Sequence, residues 1–200
     1  KAVEISGMRA DLSRGLEGVA PNSLESLEQG VAFAKNWQGQ AQGRITTRLG
    51  PHAPYTCPAD YLKKVVAASD HLGVGLHMHL AETAGEVQQL VDAAGLNPIQ
   101  WMENMGAFER PVLAAHCVHV TPEDLEIMAR RAVGVAHNPE SNMKLASGVA
   151  PVPQMLSRDV TVGLGTDGAA SNNNLDMFQE MRSAALLHKV FAQDPTVLPA

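Results

Sequence analysis

Short apolar runs alternate with longer amphipathic stretches along this chain. Six runs rich in β-branched or other apolar residues end at glycine, proline or polar residues, which is typical of buried strands. The stretches between them repeat apolar residues at helical spacing, and residues 138–148 are predicted to be a loop. The predicted strands are Met8–Gly15, Gly43–Leu49, Val74–Leu80, Pro111–Val120, Ala132–His137 and Val160–Leu164. The predicted helices are Ser23–Trp37, Pro58–Leu72, Gly85–Asp92, Pro98–Met105, Thr121–Arg131, Pro151–Arg158 and Asn174–Val190.

This alternation of strands and helices predicts an α/β fold with parallel strands and right-handed crossovers. An open doubly wound sheet would also alternate in this way. However, no Gly-x-Gly-x-x-Gly follows the first strand, and polar residues end nearly every strand, as at the active rim of a (β/α)₈ TIM barrel. A whole barrel needs eight units and about 250 residues. We therefore predict a partial TIM barrel of about six βα units, with the missing units before Lys1.

Composition and charge limit the kinds of molecule and surface that this protein is expected to bind. Of the 200 residues, 45% are hydrophobic and 18% are charged, which is ordinary for a well-packed protein. The formal net charge of −6 argues against binding to nucleic acid or to an anionic membrane. No apolar run reaches the roughly 18 residues of a membrane span, and Cys57 and Cys117 are too few for a disulfide framework. We expect a cytoplasmic protein.

The stretch 161–174 contains the clearest candidate for a functional carboxylate. Its apolar run ends at glycines and a Thr-Asp pair, so Asp167 lies at the carboxyl end of a strand, where α/β folds place their ligands. Asp-Gly followed by Ser and Asn is also good turn and capping chemistry. From this stretch alone, Asp167 is either a helix cap or a ligand-binding residue.

Other predicted strand ends carry imidazole and carboxylate groups too. They are His52, His79 with Glu82, His116 and His137. A single histidine in an apolar run is usually a core residue. Imidazole and carboxylate groups that converge from separate strands, however, can bind a divalent ion and leave a position for water. Glu82 follows His79 by three residues, and a carboxyl group near an activated water suits proton transfer.

Four motifs together resemble the amidohydrolase superfamily, and within it the branch of 5-methylthioadenosine/S-adenosylhomocysteine deaminases. The resemblance covers nearly the whole chain, from the first predicted strand to the helix after Asp167. The motifs are His79-Leu-Ala-Glu82-Thr, Ala114-Ala-His116-Cys-Val-His119, His137-Asn-Pro-Glu-Ser-Asn-Met-Lys-Leu-Ala-Ser-Gly-Val-Ala-Pro151 and Gly165-Thr-Asp167-Gly-Ala-Ala-Ser-Asn-Asn.

The resemblance implies a metal-dependent hydrolase site with one divalent ion, Zn²⁺ by preference and Fe²⁺ or Mn²⁺ as alternatives. It implies that His79 and Asp167 are metal ligands and that Asp167 also takes a proton from the activated water. His116 would position this water and the developing oxyanion. Glu82 would carry a proton to the purine ring and contact the substrate.

The resemblance also implies substrate contacts from His52, in Gly-Pro-His-Ala-Pro-Tyr, and from Arg14 at the end of the first predicted strand. The other histidines near strand ends are interpreted as structural: His77, His119 and His137. His137 is expected to anchor the loop that follows it through Asn142.

One feature of the family is missing from these residues. The family's first strand carries a His-x-His pair that supplies two further metal ligands. His77-Met-His79 has this spelling, but Glu82 follows at the spacing of the fifth strand, and two or three βα units precede it. We therefore interpret residues 1–200 as an internal part of the catalytic barrel, without its first strands and without the family's small β-rich domain.

The resemblance implies hydrolytic deamination of an adenine nucleoside to the inosine analogue and ammonia. The candidate substrates are 5-methylthioadenosine, S-adenosylhomocysteine and adenosine. The alternatives are another aminohydrolase of the superfamily, of guanine or triazine type, or a catalytically silent barrel fragment. The expected partner is a small-molecule nucleoside, not nucleic acid or a membrane, and homo-oligomerisation stays open.

Overall fold

The computed structural model describes residues 1–199 as helices alternating with six strands. The strands are β1 (Ala10–Leu16), β2 (Ile45–Pro51), β3 (Gly75–Leu80), β4 (Val112–His116), β5 (Gly134–His137) and β6 (Val162–Leu164). The α-helices are α1 (Ala2–Ser6), α2 (Ser23–Trp37), α3 (Gln40–Gly43), α4 (Ala59–Leu72), α5 (Ala84–Ala94), α6 (Pro98–Asn104), α7 (Pro122–Arg130), α8 (Pro139–Lys144), α9 (Val152–Leu156), α10 (Ala169–Asn172) and α11 (Met177–Ala192), with a 3₁₀ turn at Ala107–Glu109.

The six strands follow chain order, β1 to β6, in one sheet. The pairings β1–β2, β2–β3, β4–β5 and β5–β6 are all parallel. Parallel neighbours that are consecutive in the chain, each reached through a helical connection, are the arrangement of a TIM barrel. The predicted α/β class and partial barrel are therefore confirmed. Among residues 1–199, no helix is both long and apolar enough to cross a membrane.

The chain divides into two compact units, of which the first comprises residues 1–78 and 102–112. Strands β1 and β2 pair along their whole lengths, and β2 continues the sheet to the start of β3. Leu16 and Leu49 are fully buried between this sheet and its helices, where α4 contributes Leu62. Their burial removes apolar surface from water at about 25 cal/mol per Å², which stabilises this unit.

The second unit comprises residues 79–101 and 113–200, of which the structure describes all but the last. Strands β4, β5 and β6 form its sheet. Helix α7 begins with a capping box, in which the Thr121 hydroxyl accepts the Asp124 N–H and the Asp124 carboxylate accepts the Thr121 N–H. This reciprocal pair satisfies two N–H groups that a helix end otherwise leaves without partners. The residues Thr121-Pro122-Glu123-Asp124 have the spacing of such a capping box.

The largest differences from the predicted elements lie in the second unit. The predicted strand 111–120 ends at His116, because His116 and Cys117 adopt φ values of 71° and 48° that no strand can continue. The predicted loop 138–148 contains helix α8, which has proline near its first position, where the missing N–H costs nothing. A second short helix, α10, follows Asp167.

Helix α11 is present, as predicted, but its apolar positions do not form the buried face. Phe178 is 83% exposed and Val190 is 78% exposed. The buried face carries Glu180, Ala184 and His188 instead. Amphipathic spacing therefore predicts the helix correctly, while two of the three residues on its buried face are polar.

His137 of β5 and His188 of helix α11 form a buried imidazole pair. Their Nε2 atoms lie 3.2 Å apart, and the two residues are 1% and 2% exposed. One ring donates its Nε2–H and the other accepts it, so the pair is stable only while one or both rings are neutral. Burial, followed by the charges of His188 and His116, lowers the pKa of His137 to about 3. Burial also lowers the pKa of His188.

The lowered pKa of His137 predicts a loss of stability on mild acidification. Below about pH 6.5 an unfolded histidine takes up a proton, whereas His137 in the folded protein does so only near pH 3. Its contribution to the unfolding free energy should therefore fall by about 1.4 kcal/mol for each pH unit below pH 6.5. Between pH 6.5 and 4.5, the unfolding free energy measured with urea should fall less steeply with decreasing pH in His137→Gln than in the wild-type protein. His71→Gln, at an exposed position, should keep the wild-type slope.

Candidate metal and active site

Strand β3 delivers His79 and Glu82 to one end of the second unit. Ala81, directly after the strand, has φ 50° and turns the chain, so that Glu82 is placed beyond the strand end. The Glu82 N–H is accepted by Glu86 of helix α5 at 3.0 Å. The Glu82 Oε1 accepts a hydrogen bond from Ser147 Oγ at 3.4 Å. The carboxylate is therefore held at a half-buried position while its Oε2 stays available to the site.

His116 is the last residue of β4 and is completely buried. Backbone N–H groups after it bind the end of β3, with Cys117 donating to the Leu80 carbonyl at 3.0 Å. This contact brings the His116 ring onto His79, in a stacked arrangement with centroids 5.4 Å apart. The His116 Nδ1 lies 2.8 Å from Asn142 Oδ1. Among the described residues, its buried Nε2 has no hydrogen-bond partner.

Asp167 lies three residues beyond β6 and adopts φ 58°. A β-carbon on Gly165 would come too close to Asn138 Oδ1, so a larger residue there would require the buried Asn138 side chain to shift. The Asp167 Oδ2 accepts hydrogen bonds from Ser141 Oγ at 2.8 Å and from Ser171 Oγ at 2.5 Å.

The pKa of Asp167 is lowered by its neighbours. Burial alone would raise this pKa, but the hydrogen bonds from Ser171 and Ser141, the Gly168 N–H and the nearby His116 outweigh burial. Donors to a carboxylate favour its charged form. Asp167 is therefore ionised at neutral pH and can act as an acceptor or as a ligand.

These three residues form a cluster that could hold a metal ion. The ligand atoms of His79, His116 and Asp167 all lie within 4.8 Å of one another. Two imidazoles and one carboxylate are a donor set suited to Zn²⁺ or Fe²⁺. The unpartnered Nε2 of buried His116 also points to a group that the site is built to receive, because a buried polar atom without a partner is costly. The cluster therefore fits a divalent ion.

Glu82 borders this cluster. Its Oε2 lies 3.7 Å from the Nε2 of His116. This distance is longer than a hydrogen bond, so Glu82 faces the same space without being tied to the imidazole. The structure thus brings together four of the predicted site residues: His79, Glu82, His116 and Asp167.

The two remaining predicted residues, Arg14 and His52, lie in the first unit and keep their role only as a prediction. Arg14, on β1, is exposed and donates to Gln29 Oε1 at 2.5 Å. His52 follows β2 directly, and its Nδ1 lies 2.8 Å from the Thr56 hydroxyl. These contacts fix both side chains within their own unit.

One expectation about a structural histidine is wrong. Asn142 does not anchor His137, because its carbonyl oxygen bonds to His116 and His137 pairs with His188. The φ of 71° at His116 swings this ring towards α8, which sequence spacing did not reveal. The structural interpretation of His119 agrees with its contact, in which Nε2 lies 2.7 Å from the Ser147 carbonyl oxygen.

Sequence reasoning connected none of the hydroxyl and amide groups that hold the cluster with Glu82, His116 or Asp167. They are Ser141, Asn142, Ser147 and Ser171. All four fall inside the motifs quoted above, so the signal was present as a run of polar residues after a strand. Because part of that run forms helix α8, Ser141 contacts Asp167 and Asn142 contacts His116.

Comparison with known proteins places this chain in a family. A sequence model described as the amidohydrolase family matches residues 2–200. A curated protein of Desulforudis audaxviator, named 5-methylthioadenosine/S-adenosylhomocysteine deaminase, is 62% identical over the whole chain. The chain covers 46% of that protein, and so spans about half the length of the curated relatives it matches.

Solved structures agree with the fold. An adenosine deaminase from Xanthomonas campestris with bound zinc superposes with a TM-score of 0.90 at 35% identity, covering 98% of this chain and 45% of that one. A guanine deaminase from C. acetobutylicum, with guanine in its active site, gives a TM-score of 0.88 at 21% identity over 96% of this chain and 48% of that one. The second likeness concerns the fold alone. With the family match and these motifs, the chain belongs to the amidohydrolase family.

Proposed function

We propose that the full-length protein hydrolytically deaminates an adenine nucleoside, such as 5-methylthioadenosine, S-adenosylhomocysteine or adenosine, and releases ammonia. The observation that carries this proposal is the convergence of His79, His116 and Asp167, with Glu82 beside them. The 62% identity to a protein named as such a deaminase supports the choice of an adenine nucleoside.

In this proposal His79 and Asp167 are ligands of one divalent ion, Zn²⁺ by preference and Fe²⁺ or Mn²⁺ as alternatives. Residues 1–200 form part of a catalytic barrel, and a His-x-His pair outside these residues supplies the other two ligands. Bound in such a site, the ion supplies Lewis acidity, which lowers the pKa of water to about 7.

The side chains of the cluster divide the proton transfers between them. Asp167 accepts a proton from the attacking water, for which its ionised carboxylate is suited. His116 orients that water through Nε2, which has no competing partner among the described residues. Glu82, in its protonated form, delivers a proton to a ring nitrogen of the purine, which makes the amino-bearing carbon more electrophilic. After the water has attacked, the proton held by Asp167 passes to the amino group and the C–N bond breaks to release ammonia. The hydroxyl proton returns to Glu82 as the C=O bond forms.

The proposal also includes the residues that contact the substrate and the cellular compartment in which the protein acts. We propose that His52 contacts the nucleoside and that Arg14 lies near the substrate tail, in addition to Glu82 and His116. The protein would act in the cytoplasm on a small molecule.

Parallel assays of four substrates test the reaction. The purified full-length protein should release ammonia from adenosine, 5-methylthioadenosine or S-adenosylhomocysteine at least tenfold faster than from guanine. A chelator should abolish this turnover, and Zn²⁺, Fe²⁺ or Mn²⁺ should restore it, which also ranks the metals. Preference for guanine or a triazine would favour the aminohydrolase alternatives. No turnover by protein with full metal occupancy would favour a catalytically silent barrel.

A further inference from the structure

Helix α8 contacts two members of the His-His-Asp cluster through adjacent side chains. Ser141 Oγ donates to Asp167 Oδ2 at 2.8 Å. Asn142 Oδ1 lies 2.8 Å from His116 Nδ1. His116 ends strand β4, whereas Asp167 follows β6. One short helix therefore sets the orientation of two site residues that come from different strands.

The contact between Asn142 and His116 is shielded from water, whereas the contact between Ser141 and the half-buried Asp167 is shielded on the Ser141 side. Ser141 is 0% exposed and Asn142 is 1% exposed. Consecutive residues of a helix point about 100° apart, so residues 141 and 142 reach two different neighbours from one turn. Because water does not reach the Asn142–His116 pair, loss of the Asn142 side chain leaves the buried His116 Nδ1 unsatisfied.

Helix α8 is itself fixed by helix α11. The buried Glu180 carboxylate accepts the Glu140 N–H at 3.2 Å through Oε2 and the Asn172 side-chain amide through Oε1. The Ser183 hydroxyl donates to the Glu140 carboxylate at 2.7 Å. The first turn of α8 is thus held by two polar groups of α11, Glu180 and Ser183, and this contact accounts for the burial of Glu180.

We propose that Asn142 is a positioning residue that fixes the tautomer of His116. Its carbonyl oxygen accepts the His116 Nδ1–H, which keeps the hydrogen on Nδ1 and leaves a lone pair on Nε2. That lone pair faces the space bordered by Glu82, where an ion or water can use it. The catalytic consequence rests on the proposed deamination, whereas the tautomer itself does not.

Nitrogen NMR of protein labelled at histidine tests the tautomer without any substrate. We expect the His116 ring hydrogen on Nδ1, with the signal assigned by its disappearance in His116→Gln. Asn142→Asp keeps an acceptor oxygen and should keep the hydrogen on Nδ1. Asn142→Leu has similar size and no acceptor, so the His116 signal should move towards a mixture of tautomers. A wild-type hydrogen on Nε2 would overturn the proposal, because the amide would then face His116 with its NH₂ group.

Kinetics then separate positioning from general packing. In the full-length protein, Asn142→Leu should lower kcat about 10- to 100-fold, as expected for a residue that orients a metal-site histidine, with KM changed less than about twofold. Asn142→Asp should retain most of kcat. Gln88→Leu is the matched control, because it makes the same change of an amide to leucine at an exposed position of α5, where the Gln88 amide donates to Asp92.

The outcomes are distinct. Equal losses in Asn142→Leu and Asn142→Asp would overturn the positioning role, as would full kcat in Asn142→Leu with an altered tautomer. If the wild-type protein fails to deaminate any nucleoside, the proposed function fails, while the NMR result still decides the role of Asn142.

Discussion

Asp167→Asn should reduce kcat for nucleoside deamination by about 10³-fold or more in the full-length protein. An amide has the shape of the carboxylate but accepts no proton, and loss of proton transfer alone costs about 10²- to 10⁴-fold. The substitution also removes the negative charge that Ser141 and Ser171 now stabilise through Oδ2. Ammonia release and the change in ultraviolet absorption of the purine measure the effect.

Asp176→Asn supplies a matched control for this variant. Asp176 caps helix α11 and accepts the N–H groups of Phe178 and Gln179. Asparagine caps about as well as aspartate, so this exposed position should tolerate the same chemical change with unaltered kcat. If folded Asp167→Asn retained more than about a tenth of the wild-type kcat, Asp167 would not be the proton acceptor.

The sequence was sufficient for the class of fold and for the strand ends that carry chemistry. Alternating strands and helices predicted the parallel sheet, and His79, Glu82, His116 and Asp167 do lie together. This success has a physical basis. Side chains at the carboxyl ends of consecutive parallel strands share one rim, so the residues that gather there can be identified from strand order alone.

The supporting contacts could not be predicted in the same way. Residues 139–144 contain proline and asparagine, which are typical of loops, and their helix exists because Glu180 and Ser183 of α11 bind its first turn. Those partners lie about 40 residues away along the chain. Likewise, the turn of His116 towards Asn142 depends on a positive φ, for which a histidine gives no clear signal.

The burial of the polar face of helix α11, instead of its apolar face, also depends on partners that are distant in the sequence. Periodicity locates an apolar stripe but does not say what that stripe meets, and here the polar stripe of Glu180 and His188 is the one in contact with the unit. Glu180 contacts Glu140 and Asn172, and His188 pairs with His137. Burying such groups is tolerated because each has a hydrogen-bonding partner.

Glu82→Gln should lower kcat by about 10²- to 10⁴-fold while leaving metal content unchanged. The glutamine amide can occupy the same space, 3.7 Å from His116 Nε2 and beside Ser147, but it exchanges no proton at neutral pH. Because Glu82 lies outside the cluster of His79, His116 and Asp167 that fits the ion, its loss should not release the metal.

The matched control is Glu123→Gln, which makes the same chemical change at an exposed position in the first turn of α7. Metal analysis and kcat, measured on the same preparations, then separate two roles for Glu82. Loss of turnover with full metal content identifies a proton carrier. Loss of both turnover and metal would instead show that Glu82 helps to bind the ion, and would contradict its assignment as a proton carrier alone.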